Sequence, residues 1–296
     1  MSGAVPIDAA WLAANPPPRH QEGIDKNDRG RVLLIGGARF VPGALRLTGE
    51  AALRAGAGKV QMATVDSVAA ALGVLVPEAA MIALPMREDG EIASAAIAVL
   101  KALGSRCDLM LVGPGMSATD ETEELVRGLI ALKPPAMLLD AAAMTCADMD
   151  ELRAASGSTA FILTPHHGEM ATLTGASSAE IAAAPDAAAS DLAARSGATV
   201  ALKGAETWIA APDGSLLHFT GGCPGLATGG SGDVLAGVIG GLVARGADPL
   251  AAAAWGVWAH GRAGQHLSEA VSPLGFLARE LLPHVPRLLD GGGDGG

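Results

Sequence analysis

Short apolar runs at residues 31–35, 59–64, 80–84, 108–112, 136–140, 159–163 and 199–202 alternate with stretches of helical spacing at 44–55, 67–72, 92–103, 119–132, 149–155, 170–173 and 187–195. A strand that is apolar at every position leaves no face for water. It belongs in a parallel sheet covered on both sides, and the intervening helices are the cover. Alternation of this kind builds an α/β fold: a three-layer α/β/α sandwich with a mostly parallel central sheet. Ligands of such folds bind at the loops that follow the C-terminal ends of the strands. Here those loops are 36–43, Gly113-Pro114-Gly115, Asp140-Ala141-Ala142 and 164–169, glycine-rich or polar in a chain that is 50% hydrophobic and only 17% charged.

The remaining segments bound the architecture. Residues 1–30 read as irregular, and residues 208–211 and 216–219 flank Pro212-Asp213-Gly214-Ser215 as a hairpin. Helical stretches follow to Arg245, over 250–270, and to Leu289. No long linker breaks the chain, so residues 1–290 are expected to form one domain, with 291–296 a disordered tail. The most apolar window, 68–86, contains Pro77, Glu78 and Pro85, which predicts a helix followed by a strand rather than a membrane span.

The net charge of −11 argues against nucleic acid or an anionic membrane as partner, because both need a basic footprint. A phosphate ligand would have to be held locally, by backbone amides, a few cations or a metal. Cys107, Cys146 and Cys223 form neither a disulfide framework nor a metal knuckle, and the first twenty residues lack a basic start followed by an apolar core. Both readings point to the cytoplasm.

One stretch carries chemistry: Ala227-Thr228-Gly229-Gly230-Ser231-Gly232-Asp233-Val234-Leu235. A flexible glycine loop feeding a helix N-terminus attracts anions, through unpaired N–H groups and the positive end of the helix dipole. A carboxylate in that place repels a phosphate unless it has a task, such as taking or orienting the proton of an attacking hydroxyl. The blander alternative makes Ser231 the helix cap and Asp233 a first-turn acid, each worth roughly 1 kcal/mol. The dipole should also depress the pKa of Asp233, making it a weak base.

Two common phosphate motifs are absent. Gly58-Lys59 is followed by Val60 and lacks the upstream glycine of a P-loop, and Gly113 and Gly115 are followed by Ala118, not by the third glycine of a dinucleotide fingerprint. A βα sheet whose anion loop lies late in the chain and brings its own carboxylate resembles the ribokinase-like superfamily. One branch matches more closely. Gly36-Gly37 with Pro42-Gly43-Ala44, Arg54-Ala55-Gly56-Ala57-Gly58, Thr164-Pro165-His166-His167-Gly168-Glu169-Met170, Lys203-Gly204-Ala205-Glu206-Thr207 and the 227–235 loop resemble, in order, the signatures of the ADP- or ATP-dependent NAD(P)H-hydrate dehydratases.

That resemblance implies a metabolite-repair lyase. It would dehydrate the S epimers of NADHX and NADPHX to NADH and NADPH by phosphorylating the ring hydroxyl and eliminating phosphate. The co-substrate would be ADP, or alternatively ATP, with magnesium. It further implies an anion hole at Gly230, Ser231 and Gly232 and a base at Asp233. Lys203, Gly204, Ala205, Glu206, Thr207 and Gly232 would contact the nucleotide, and Ala44, Gly115, His166 and Asp233 the hydrated cofactor. Glu169 would reach magnesium through water, its blander role being that of a first-turn helix acid. His166 rather than His167 is expected to face the site, since neighbouring side chains diverge and the family resembled keeps the first of the two. The family also implies a homo-oligomer, a tetramer.

Departures from the family pattern are His167 in place of proline, Ser117 in place of a further glycine, and Ala142 in place of a second acid after Asp140. No counterpart of the epimerase domain often fused ahead of this one is seen in the sequence, so the R epimer would need a separate epimerase. The rival readings are a ribokinase-like kinase of a vitamin precursor and a nucleotide-sensing protein that has lost catalysis. His166 and the 203–207 motif argue against the first, and Asp233 against the second.

Overall fold

The computed structural model describes residues 3–19, 23, 25–104 and 106–291. The tail expected to be disordered lies, from residue 292 on, outside the described residues. The first half of the chain runs β1 (Val5–Pro6), α1 (Ala9–Ala14), β2 (Arg31–Ile35), α2 (Pro42–Arg54), β3 (Lys59–Val65), α3 (Asp66–Leu75), β4 (Ala80–Leu84), α4 (Ile97–Gly104), β5 (Leu109–Val112) and α5 (Asp120–Ile130). Then come β6 (Ala136–Leu139), α6 (Ala141–Thr145), α7 (Met149–Ala155), β7 (Ala160–Leu163), α8 (His167–Thr174), α9 (Ser178–Ala183), α10 (Pro185–Ser196) and β8 (Ala198–Leu202). The chain closes with β9 (Thr207–Ala210), β10 (Leu216–Phe219), α11 (Ser231–Ala244), α12 (Pro249–Ala270), α13 (Ala278–Leu281) and α14 (Val285–Leu289).

The strands form a ten-stranded sheet in the order β1-β10-β9-β8-β7-β6-β5-β2-β3-β4. Pairing is parallel except where β9 meets β8 and β10. Alternate residues of the central strands enter separate cores. Val32, Leu34, Leu109, Leu111 and Leu138 pack with α2, α11 and α12, whereas Leu33, Ile35, Met110, Val112 and Leu139 pack with α4, α5, α7 and α10. Period-two alternation between two covered faces is why the strands are apolar throughout.

α11 lies against α2 at a distance only glycine permits. A Cβ on Gly237 would strike the Thr48 carbonyl oxygen, and one on Gly241 would stand 2.6 Å from the Ala52 carbonyl oxygen. These positions four residues apart share one helix face. The close approach sets the N-terminus of α11 beside α2, at the end of the sheet where β6, β7 and β8 finish.

Several local expectations need correction. Residues 1–30 are not wholly irregular: β1 adds to the sheet edge beside β10, and Asp8 caps α1 by accepting from the Trp11 N–H at 2.8 Å. The helix expected over 92–103 starts at Ile97, because Ile92 is held in an antiparallel bridge to Met86 and residues 94–96 form a 3-10 turn. The last helix is broken into α13, a 3-10 turn and α14, where Pro283 and Pro286 interrupt the hydrogen-bond ladder. The apolar window at 68–86 becomes α3 and β4, and among the described residues no helix is long and apolar enough to cross a membrane.

Candidate active site

The 227–235 loop enters α11 through Gly230, whose φ of 89° lies in the left-handed region. Glycine is required there twice over, since a Cβ would also meet Leu47 Cδ1 at 2.5 Å. Gly230 is therefore the helix cap, which removes the blander alternative that Ser231 caps α11. Ser231 occupies the first helical position, buried to 4% exposure. The helical ladder opens with the Val234 N–H donating to the Gly230 carbonyl at 3.1 Å, which leaves the N–H groups of Gly232 and Asp233 without an intrahelical acceptor. A Cβ added at Gly232 would meet a single group within 4 Å, the Lys203 ammonium nitrogen at 3.6 Å. The space over this first turn is thus open and faces a cation.

Lys203 directly follows β8 and is fixed by its main chain, whose N–H donates to the Pro165 carbonyl at 2.7 Å. Its Nζ lies 3.4 Å from Asp140 Oδ1 and 4.0 Å from Glu169 Oε2. Asp140, at the end of β6, is buried, and the Thr164 hydroxyl donates to the same Oδ1 at 2.6 Å. Ala141, next in sequence, adopts a φ of 49°, a left-handed conformation for a non-glycine residue, as the chain turns from β6 into α6.

Asp233 is half-buried on the first turn of α11 and its pKa is pushed up to about 7. Desolvation is the largest cause, the Asp140 carboxylate adds to it, and Lys203 opposes both. This overturns the expectation of a depressed pKa. The helix dipole is a local influence, whereas burial and the facing acid come from tertiary packing and outweigh it.

His166 caps α8. Its Nδ1 accepts from the N–H groups of Gly168 at 3.0 Å and Glu169 at 3.1 Å, and Glu169 Oε2 accepts in return from the His166 N–H at 2.8 Å. Glu169 therefore performs the helix-capping task that was the blander alternative for it, while also standing near Lys203. The His166 side chain is 59% exposed, and its backbone pairs with that of Lys203 in an isolated parallel bridge. His167, to which no role was assigned from sequence, packs its Nε2 3.1 Å from where a Gly204 Cβ would be.

Gly204, Ala205 and Glu206 form an exposed turn between β8 and β9, and Thr207 opens β9. Glu206 is held at 2.7 Å by His218, whose ring stacks on Trp208 at 3.9 Å. On the other side, Gly115 (φ 70°) and Ala44 converge, because a Cβ on Gly115 would come within 3.1 Å of the Ala44 Cβ. The Gly37 N–H donates to the Pro114 carbonyl at 2.8 Å, so the loops after β2 and β5 are tied together. Gly113 connects this corner to the acidic one, since a Cβ there would collide with the Asp140 carbonyl. Among the described residues no group of three or more His, Cys, Asp or Glu side chains is placed to hold a metal ion.

A family model for NAD(P)H-hydrate dehydratase matches residues 32–287. The chain belongs to the NAD(P)H-hydrate dehydratase family. It is 47% identical over 284 residues to the ADP-dependent (S)-NAD(P)H-hydrate dehydratase of Xanthomonas campestris pv. campestris, covering 96% of each chain. It is similar to the crystal structure of the ADP/ATP-dependent NAD(P)H-hydrate dehydratase of Bacillus subtilis co-crystallised with ATP and Mg2+, with a TM-score of 0.83, 27% identity, and coverage of 98% of this chain and 99% of that one. A ribokinase-like superfamily protein of Enterococcus faecalis V583 shares the fold, with a TM-score of 0.82, 24% identity, and 100% and 98% coverage. The three-layer architecture expected from the alternating strands and helices, and the ribokinase-like fold implied by the resemblance, are thus the ones observed.

Against this family background, the structure brings Asp233, Gly232, Lys203 and Glu169 together and puts Ala44 and Gly115 in an adjoining corner. The loops expected to bind a ligand include Asp140 and Thr164, but no role was assigned to either side chain, and His260, whose Nε2 lies 2.8 Å from the Ser231 hydroxyl, was not singled out. Asp140 carried a signal, an acid at a strand's C-terminal end. The bonds of Thr164 to Asp140 and of His260 to Ser231 carried no local signal, because the partners are distant in sequence.

Proposed function

We propose that this protein dehydrates the S epimer of hydrated NADH or NADPH back to the reduced cofactor, with ADP as phosphoryl donor, and that the 230–233 turn is where the phosphoryl group is transferred. The observation carrying this reading is the placement of Asp233, its pKa pushed up to about 7, beside unpaired backbone N–H groups, with the Lys203 ammonium facing the open side of Gly232. A carboxyl titrating near neutrality suits general base chemistry at physiological pH. In the proposed sequence the ring hydroxyl oxygen attacks the β-phosphorus of ADP while the bond to AMP breaks. Asp233 takes the hydroxyl proton. The phosphate then leaves with the substrate's oxygen as an adjacent C–H proton is lost, forming the ring double bond.

The chain's own residues bind and orient. The N–H groups of Gly232 and Asp233 and the ammonium of Lys203 would stabilise charge on the transferring group, a task that asks mainly for positioning. The turn from Gly204 to Thr207 would hold the nucleotide. Ala44, Gly115 and the exposed edge of His166 would bound the hydrated cofactor. The acids near Lys203 fit magnesium carried in on the nucleotide, which keeps waters and uses one or two carboxylates rather than a protein cage. Glu169 would face it through water, and the ion would neutralise phosphate charge.

Purified protein given (S)-NADHX, magnesium and ADP must restore reduced-nicotinamide absorbance. Failure with both ADP and ATP would overturn the reading, and parallel runs decide the donor. We further propose that the protein works in the cytoplasm as a homotetramer, which light scattering on the eluted protein checks through its molar mass.

A further inference from the structure

The anion-binding turn has an unusual weakness: positions 229, 230 and 232 are glycine, and the helix cap at Gly230 makes no side-chain hydrogen bond. Glycines give the backbone its largest conformational freedom, so a turn built from them needs an anchor to hold one geometry. Its internal support is two backbone bonds, from the Ser231 N–H to the Thr228 carbonyl at 3.3 Å and from the Val234 N–H to the Gly230 carbonyl at 3.1 Å. The side chains available within 229–233 are those of Ser231 and Asp233, and Asp233 faces Lys203 and Asp140. Ser231 turns the other way. Its hydroxyl is buried and lies 2.8 Å from Nε2 of His260, on the neighbouring helix α12.

His260 is an unusual choice for a half-buried place on α12 packed under a phosphate site. Burial pushes its pKa down to about 4, a contact with the Ser231 backbone opposes that, and the nearby Lys203 ammonium lowers it further. The imidazole is therefore neutral at physiological pH, with one ring nitrogen a donor and the other an acceptor. Either tautomer completes the bond to the Ser231 hydroxyl, which can donate or accept.

We propose that His260 is a positioning residue for the phosphoryl-transfer turn. Through the Ser231 hydroxyl it pins the first turn of α11 to α12, so that the free N–H groups of Gly232 and Asp233 and the Asp233 carboxyl are held in register with the reacting phosphorus. This rests on the dehydration reaction proposed above. His260 touches neither substrate nor nucleotide in this account and acts only through Ser231.

The test is a double-mutant cycle on the full chain with Ser231→Ala, His260→Leu and the pair combined, plus His260→Gln, whose side-chain amide reaches about as far as Nε2. For (S)-NADHX with ADP, each single truncation should lower kcat about 10- to 100-fold, the usual consequence of a lost buried hydrogen bond expressed at the transition state. KM for either substrate should change little. The double variant should be no slower than the worse single one, and His260→Gln should regain most of the lost kcat. Losses that multiply in the double variant, or a His260→Gln enzyme as slow as His260→Leu, would overturn the proposal.

Amide hydrogen exchange supplies a second reading that does not depend on turnover. In His260→Leu the amides of residues 229–234 should exchange about tenfold faster while β2, β5 and β6 keep their protection. Unchanged exchange in that segment overturns the anchor even if the protein proves to catalyse another reaction. Wild-type protein inert toward (S)-NADHX, with the exchange effect present, would count against the reaction and not against the anchor.

Discussion

Replacing Asp233 by asparagine should destroy turnover and at the same time make the folded chain more stable above neutral pH. The Asp233 carboxyl titrates near about 7 in the fold against an ordinary 3.8. Below pH 3.8 it is protonated in both folded and unfolded chains and has no effect on their balance. Between 3.8 and 7 the unfolded chain ionises it and the folded chain does not, so folding stability falls as pH rises. At about 1.4 kcal/mol per pH step, the loss reaches about 4 kcal/mol by pH 7 and is flat beyond. The carboxyl is only half-buried, so solvent screening brings the observable to about 2–4 kcal/mol. Asparagine keeps the shape and never ionises. Its variant should melt with wild type near pH 4 and about 4–8 °C above it at pH 8, at roughly 2 °C per kcal/mol for a chain of this size. Thermal melts of both proteins from pH 4 to pH 8 make the measurement. An offset that stays constant across that range, or a wild type more stable at pH 8, would refute the burial argument and with it the assignment of Asp233 as a base tuned by desolvation.

Two further outcomes follow from the same geometry. Lys203→Met removes the cation that lowers the Asp233 pKa and sits 3.4 Å from Asp140, so the rise of kcat/KM with pH, expected near pH 7 in wild type, should move upward, with kcat/KM at pH 7 falling about 100-fold; a full pH–rate profile checks it. Gly115→Val forces a branched side chain into a φ of 70° and against the Ala44 methyl, so it should cost about 1–3 kcal/mol of stability and raise KM for the hydrated cofactor more than KM for ADP, as melts and steady-state kinetics would report.

Much of the sheet was legible because its strands are buried on both faces, and a run such as Arg31–Ile35 has no other stable home. The loop 227–235 was legible for a different reason: glycine density and a stray acid ahead of a helix are local signals. What stayed hidden depends on contacts far apart in sequence. β1 is two residues long and exists through its pairing with β10, more than two hundred residues away. Ser231 reads as a helix cap when only its neighbours are considered, yet the backbone places Gly230 there and gives the serine to His260. The direction of the Asp233 pKa shift was not legible because the helix dipole can be read from sequence, whereas the burial that raises it most and the Asp140 carboxylate that adds to it cannot. Glu169 shows the reverse: the ordinary role of a first-turn acid was visible in the spacing and is the role its hydrogen bonds display.

The central claim is that this chain moves a phosphoryl group onto its substrate's hydroxyl before that oxygen leaves. Substrate (S)-NADHX carrying 18O in the ring hydroxyl, incubated with ADP, magnesium and the protein, decides it by mass analysis of the inorganic phosphate released. The account predicts one 18O atom in each phosphate, matched by one AMP and one NADH. Unlabelled phosphate, with the 18O found in water, would mean that the nucleotide is hydrolysed without ever phosphorylating the hydroxyl, and would contradict it.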